Sequence, residues 1–486
     1  MFKTLQATFA KDTDLPERSY RIDILTRVLN GTIYDNLQHA FHEEKSPAGE
    51  YVPLRARRPS VRYALCRTVV EDSVSLLFSE GHFPEVDLGE DPDAKDTLAR
   101  LIKETGLNEV LIAAATIGSV GSAAIFFRVI EGRVFIKPQG TAYLTPVWSP
   151  KAPDTLERVI EQYKVAAKDL RAAGYTIPGD EQDATPYWLR TEWDAVSETA
   201  FVPVKVGETD PPVWTVDTKR TVRHNLGFVP VVWVRNLPGG DDIDGAATFP
   251  GEAIDTQIEV DYQLSQAGRG LKYSSDPTLL LKEPAVGENG QIIKGAGNAL
   301  VVSKEGDAKM LEINGSAVDA VLEYVRALRE LALETMHGNR ANADKVSAAQ
   351  SGRAMELMNQ SLIWLADKLR ISYGEGALAD LLIMLVKASN KLPLVFKNGD
   401  KVTPLPANEI LSLRWPRWFA PTASDRQSDA VTLTALTNAG IMSRATATAT
   451  IAADYDIEDL AAEEAAIAKD IAEREANAQK QIKINE

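Results

Sequence analysis

The period of the apolar positions changes several times along the chain, and each change marks an element. In ERSYRIDILTRVLNG, residues Ile22, Ile24, Leu25, Val28 and Leu29 recur at helical spacing, and Gly31 interrupts or caps that helix. A second helix is predicted from about Ser60 to Phe78, ending near Gly81. A third, DTLARLIKETGLNEVLIAAATIGSVG, is broken at Gly106 and stops in the glycines at 118 and 121. The period then falls to two: AAIFFRVI and RVFIKP, separated by Glu131 and Gly132, form a hairpin signal. TAYLTPVW, PYWLRTEW, TAFVPVKV, PVWTVD and VPVVWVRN are further strand candidates. LERVIEQYKVAAKDLRAAG fits a helix by its alanines and charges and a strand by its β-branched and aromatic residues; a strand over 156–165 followed by a short helix is assigned.

After the turn-rich NLPGGDDIDG the helical period returns. GEAIDTQIEVDYQLSQAGRGLKY has Ile254, Ile258, Tyr262 and Leu264 on or near one face, with acidic and amide residues elsewhere. A compact strand-and-turn insert follows, and then SAVDAVLEYVRALRELALETMHG, whose Val318, Val321, Leu322, Val325, Leu328, Leu331 and Leu333 make an apolar stripe. Ser316 and Asp319 suit its first turn. The polar NRANADKVSAAQSG separates it from a long helical segment, RAMELMNQSLIWLADKLRISYGEGALADLLIMLVKAS, with kinks expected at Gly374 and Gly376. NEILSLRWPRWF reads as a returning strand, and the remainder is helical, alanine-rich and acidic towards its end.

At 486 residues and 44% apolar content the chain can build several cores. Its longest apolar runs, 110–115 and 381–386, fall well short of the roughly 20 residues of a membrane span. The first residues mix charges with apolar positions and lack a secretion signal pattern, so the chain is expected to fold in the cytoplasm. Cys66, the single cysteine, sits at helical spacing from Val69 and Val70 and reads as a core thiol.

The formal net charge of -16 argues against a protein that grips nucleic acid over its whole surface, because neutralisation of phosphates by Lys and Arg dominates that affinity. An acidic wall still suits a polyanion that must slide without sticking.

Motifs of catalysis are weak. GSVGSA at 118–123 lacks a following lysine, and no Gly-Lys pair occurs in the chain, which removes the phosphate-loop signature. GDDIDG at 240–245 has glycine at the first and twelfth positions of a calcium loop, Gly240 and Gly251, and reads as a turn. His39 and His42 sit three apart with no further His or Cys nearby, so they read as surface histidines. No catalytic residue, metal site or cofactor is assigned.

The order of a long helix, a small strand insert, a second long helix, a polar loop and another long helix is similar to the stem, clip, stem, tunnel loop and long wing helix of the portal proteins of tailed double-stranded DNA bacteriophages. SAAQSGRAMELMNQSL resembles the helix entry after the family's tunnel loop, RPSVRYALCRTVVEDSVSLLFSEGHFP its early wing helix, and DRQSDAVTLTALTNAGIMSRATA its crown-proximal helix. The resemblance implies an α+β portal fold: wing 1–250, stem helix 251–273, clip 274–314 as a small α/β or β module, second stem helix 315–338, tunnel loop 339–350, long wing helix 351–390, returning wing strand 391–424 and helical crown 425–486. Residues 166–184 do not match and read as a local insertion.

The resemblance also implies a non-enzymatic subunit of a cyclic homo-oligomer, a dodecamer, whose channel at one capsid vertex passes double-stranded DNA without sequence specificity during packaging and ejection. Implied partners are the terminase large subunit, then a head-tail adaptor protein, and the major capsid protein; the implied location is the virion, after synthesis in the host bacterial cytoplasm. Arg340 and Lys345 of the tunnel loop are the implied DNA contacts. Arg269 and Lys272 stand at the clip end of the first stem helix, where they also complement the helix dipole. Lys282, Lys294, Lys304 and Lys309 are the implied docking surface of the clip, or simply keep a small β module in solution. Two alternatives stay open: another virion structural subunit lacking the helix–insert–helix order, and a hydrolase, which would need a deep pocket of convergent carboxylates with raised pKa.

Overall fold

The computed structural model describes residues 1–79, 81–89, 91–209, 211–275, 278–284, 302–311, 316–338, 352–407, 411–419, 421–455, 457 and 459–485. The fold class is α+β, divided into two compact units: Met1–Asn339 with Trp364–Trp415, and Arg340–Ile363 with Pro416–Glu486.

The run SAAIFF is apolar without alternation because strand Ser122–Ile130 is covered on both faces. It is the centre of a three-stranded sheet between Arg133–Gly140 and Val231–Arg235, antiparallel to both. The helix Leu107–Gly118 packs on this sheet and against the helix Leu65–Phe78. Ala124, Phe126 and Val231 instead join Leu144, Val159 and Trp193 of a second, six-stranded sheet in one core. Phe126 and Trp193 meet edge to face at 4.8 Å.

Local signals place many boundaries. Glu131 and Gly132 both have positive φ, +52° and +79°, as a two-residue hairpin turn with right-handed strand twist requires. The helix Glu17–Leu29 ends at Asn30 and Gly31, where Thr32 N–H donates to Arg27 O and Gly31 N–H to Val28 O. These bonds satisfy the last carbonyls. The helices Pro92–Thr105 and Leu107–Gly118 part at Gly106 as expected. Strand Ala152–Ala166 covers the ambiguous stretch and passes into the short helix Ala167–Ala172.

Three expectations are corrected. The second helix begins at Leu65, not near Ser60: the preceding backbone is not helical, and its Val61 and Tyr63 N–H groups are bonded to side chains of another helix. PVWTVD is not a strand: Pro211 precedes it and Pro212 begins it, and one isolated bridge, Phe201 to Val216, is its only ladder contact among the described residues. TAFVPVKV is split at Pro203 into Ser197–Ala200 and Val204–Lys205. Strand Leu411–Arg414 returns as expected, and its antiparallel partner is Glu85–Leu88, which no sequence pattern had marked.

The two long helices are Gly251–Ser275 and Ser316–Thr335. They pack against each other, and an antiparallel strand pair, Thr278–Pro284 with Val302–Leu311, joins them. Val318, near the start of the second helix, is next to Gly270, near the end of the first, so the helices run antiparallel. Part of the second helix's apolar stripe is not covered, with Leu322 38% and Leu331 57% exposed, and two apolar residues outside the stripes, Leu271 and Tyr324, are 51% and 48% exposed.

In the same unit the expected kink takes a definite form. Gly374 and Gly376 lie in a π-helical segment, Arg370–Leu378, between the helices Gln360–Leu369 and Ala379–Lys391. A Cβ on Gly374 would stand 2.2 Å from the Trp415 ring, so only glycine permits this approach. Buried Tyr373 reaches Asn236 Oδ1 at 3.2 Å and ties the segment to the three-stranded sheet.

In the other unit Thr422 and Asp425 form a reciprocal cap on the helix Ala423–Asn438. Ser443 caps Arg444–Ile451, and Leu460–Asn485 follows. Neither of the first two helices buries a residue. Among the described residues no helix is long and apolar enough to cross a membrane.

Candidate functional site

Polar residues at intervals of four on the first long helix organise its surroundings. Gln257, Asp261 and Ser265 lie on one face and are buried. Each accepts a backbone N–H from the segment that was expected to be helical: Cys66 N to Gln257 Oε1 at 2.8 Å, Tyr63 N to Asp261 Oδ1 at 2.6 Å, and Val61 N to Ser265 Oγ at 3.0 Å. Tyr34 donates its hydroxyl to the other Asp261 oxygen at 2.7 Å, and Tyr262 donates to Arg57 O at 2.9 Å. The segment 57–64 is thus a non-helical strap clamped along the helix.

Burial dominates the electrostatics of the clamp. It pushes the Asp261 carboxyl up to about 6, against the opposing bonds from Tyr63 and Tyr34 and the charge of Arg62. It also pushes the Cys66 thiol up to about 12, which makes this cysteine a core residue with little thiolate. Buried Arg57 donates to Val52 O at 3.0 and 2.7 Å and so fixes the turn that leads into the strap.

The strap and the end of the helix enclose a cleft of about 820 Å³. Arg269 and Lys272, singled out from the sequence, both line it, and Lys45, Arg58 and Arg62 join them from the N-terminal part. Arg269 pairs with Glu44, the one carboxylate in the lining. Nothing in the sequence brought Lys45, Arg58 and Arg62 together with Arg269 and Lys272, since about two hundred residues separate the two groups.

The remaining sequence candidates fall into two groups. Lys282 is exposed on the strand pair with Asp307 as its register partner, Lys309 lies opposite Leu280, and Lys304 is on the same strand as Lys309. Arg340, Lys345 and Lys294 lie outside the described residues.

The discounted motifs have structural uses. GSVGSA leads from the end of a helix into a strand, the reverse of the strand-to-helix order that presents N–H groups to a phosphate. In GDDIDG, Asp241 Oδ1 accepts from the backbone of Ile243 and Asp244, which makes the turn. Asp244 is buried and receives Arg18 through two bonds of 2.7 Å, Arg21 at 2.8 Å and Ser122 Oγ at 2.6 Å. Arg18 also donates to Thr141 O and Leu144 O, so this pair locks the N-terminal helix to the sheets. His39 lies 3.2 Å from Glu43, and no three His, Cys, Asp or Glu side chains converge as a metal set among the described residues. The carboxylates held up by burial, Asp72, Glu161, Asp261 and Asp380, do not line the cleft beside the strap. Compared with known proteins, the chain matches no family model and no curated protein.

Proposed function

We propose that the chain is a portal subunit: copies close into a ring whose channel, at one vertex of a phage capsid, passes double-stranded DNA. The observation that carries this proposal is the antiparallel helix pair bridged by a two-stranded module, Gly251–Ser275, Thr278–Pro284 with Val302–Leu311, and Ser316–Thr335. At 1.5 Å per residue these helices are about 37 and about 30 Å long, enough to traverse a protein shell. Their uncovered Leu271, Leu322, Tyr324 and Leu331 are wet in a single chain, and lateral contact between copies would cover them. Head-to-tail contacts of this kind close into rings when the rotation between copies permits.

In such a ring the helix pair is the stem and the strand pair the clip. The clip, with Lys282, Lys304 and Lys309, meets the terminase large subunit during packaging and a head-tail adaptor afterwards, while the outer surface meets the major capsid protein. Arg340 and Lys345 follow the second stem helix and touch passing phosphates without reading bases. The net charge of -16 fits a conduit that repels the polyanion everywhere else. No catalytic step is assigned to the chain; packaging work belongs to a separate ATPase. Sedimentation velocity of the full chain tests the proposal: a discrete large oligomer at micromolar concentration is expected, and a monomer that persists on concentration would overturn it.

A further inference from the structure

We infer that the cleft between the strap and the end of the helix Gly251–Ser275 docks an acidic peptide segment of a partner protein, one in which carboxylates alternate with apolar side chains. All of its residues belong to one compact unit of one chain, so the inference does not rest on ring formation.

Charge is the first argument. Lys45, Arg58, Arg62, Arg269 and Lys272 line the cleft on a chain whose net charge is -16, and Lys45 and Arg58 carry the argument, since Arg62 stands 3.6 Å from Asp35. Glu44 is already taken by Arg269. Arg62 is held in place by its bond to Gly31 O at 2.8 Å, by Asp35 at 3.6 Å and by the Tyr34 ring at 5.5 Å, so it fixes one wall of the cleft and part of its charge is met within the chain. Lys45 and Arg58 are exposed and make no ion pair among the described residues.

Shape and lining decide which anion. Phe41 and Pro59 are buried in the wall, and a Cβ on Gly268 would meet nothing within 4 Å, so the cleft has an apolar floor with open space above it. A volume of about 820 Å³ lies within the range of sites that enclose a ligand. A peptide can set apolar side chains on that floor and carboxylates against the cations. A DNA duplex presents phosphates and has nothing to place on Phe41, and the net charge of -16 on the chain opposes its approach.

The test is fluorescence anisotropy with the full chain and a short fluorescein-labelled peptide in which Glu and Asp alternate with Leu and Phe. The inference requires binding that weakens with added salt and is at least about tenfold tighter than that of the Gln and Asn counterpart. It also requires a loss of about tenfold or more in Lys45→Glu/Arg58→Glu, a smaller loss in Lys45→Gln/Arg58→Gln, and no change in Lys151→Glu, which lies outside the cleft. Both substituted side chains are exposed, and equal melting temperatures check that the variants fold. Equal affinity for the neutral peptide, unchanged binding by both double variants, or a labelled DNA duplex that binds more tightly and displaces the peptide would each overturn the inference.

Discussion

Asp261 joins the first long helix to the strap, and its titration gives the clamp a pH signature. Its folded pKa of about 6 stands above the ordinary 3.8, so the folded chain keeps the proton longer than the unfolded one. The stability it contributes is complete below about pH 4 and is lost as pH rises through about 6. The gap corresponds to roughly 3 kcal/mol. Asp261→Asn keeps an acceptor for Tyr63 N–H and removes the charge, so urea unfolding should show the variant gaining roughly 2 kcal/mol on the wild type between pH 4 and pH 7. A difference that stays constant over that range would contradict the burial of a charged Asp261. Asp244→Ala acts differently, because it leaves Arg18 and its charge only 13% exposed with no carboxylate. A loss of about 3 to 5 kcal/mol is expected by urea unfolding, and a loss under about 1 would mean that Arg18 finds another partner. Little of this was visible in the sequence. The four-residue spacing of Gln257, Asp261 and Ser265 was present as polar residues on an amphipathic helix, but their partners lie about two hundred residues earlier. Lys45, Arg58 and Arg62 escaped notice for the same reason.

Elements defined by local chemistry were legible, and elements defined by distant partners were not. Gly106, Gly31 and the Glu131-Gly132 pair mark their own boundaries, since backbone conformation at those positions depends on the residue itself. The stretch 60–64 has a helical pattern and is not helical; Val61 and Tyr63 donate their N–H groups to Ser265 and Asp261, which hold the stretch along the long helix instead. Strand Glu85–Leu88 is four residues long and exists through its pairing with Leu411–Arg414, more than three hundred residues later. The π-helical segment shows a mixed case: two glycines marked the irregularity, while its cause is the Trp415 ring seated on Gly374. Gly374→Ala must displace that ring. The melt should report a loss of about 1 to 3 kcal/mol, with a changed near-ultraviolet tryptophan circular dichroism spectrum; unchanged stability would mean that the ring moves away freely.

At the scale of the molecule, assembly would depend on surfaces that one chain leaves uncovered. The helix–strand pair–helix order could be read from period alone, because each long helix carries its own apolar stripe and the insert between them has the β pattern. Which part of each stripe would face a second copy could not be read, since covered and uncovered positions are equally apolar: Leu333 is buried and Leu331 is exposed. Leu322→Glu/Leu331→Glu therefore separates folding from assembly. It should leave the melting temperature of the chain within a few degrees and shift light scattering during size exclusion from the oligomer to the monomer, whereas an intact oligomer would remove these positions from the interface. The most direct measurement is negative-stain electron microscopy of the purified full chain. Rings of uniform size with a central hole are predicted; a field of small single particles with no hole, at concentrations where the chain is folded, would contradict the account.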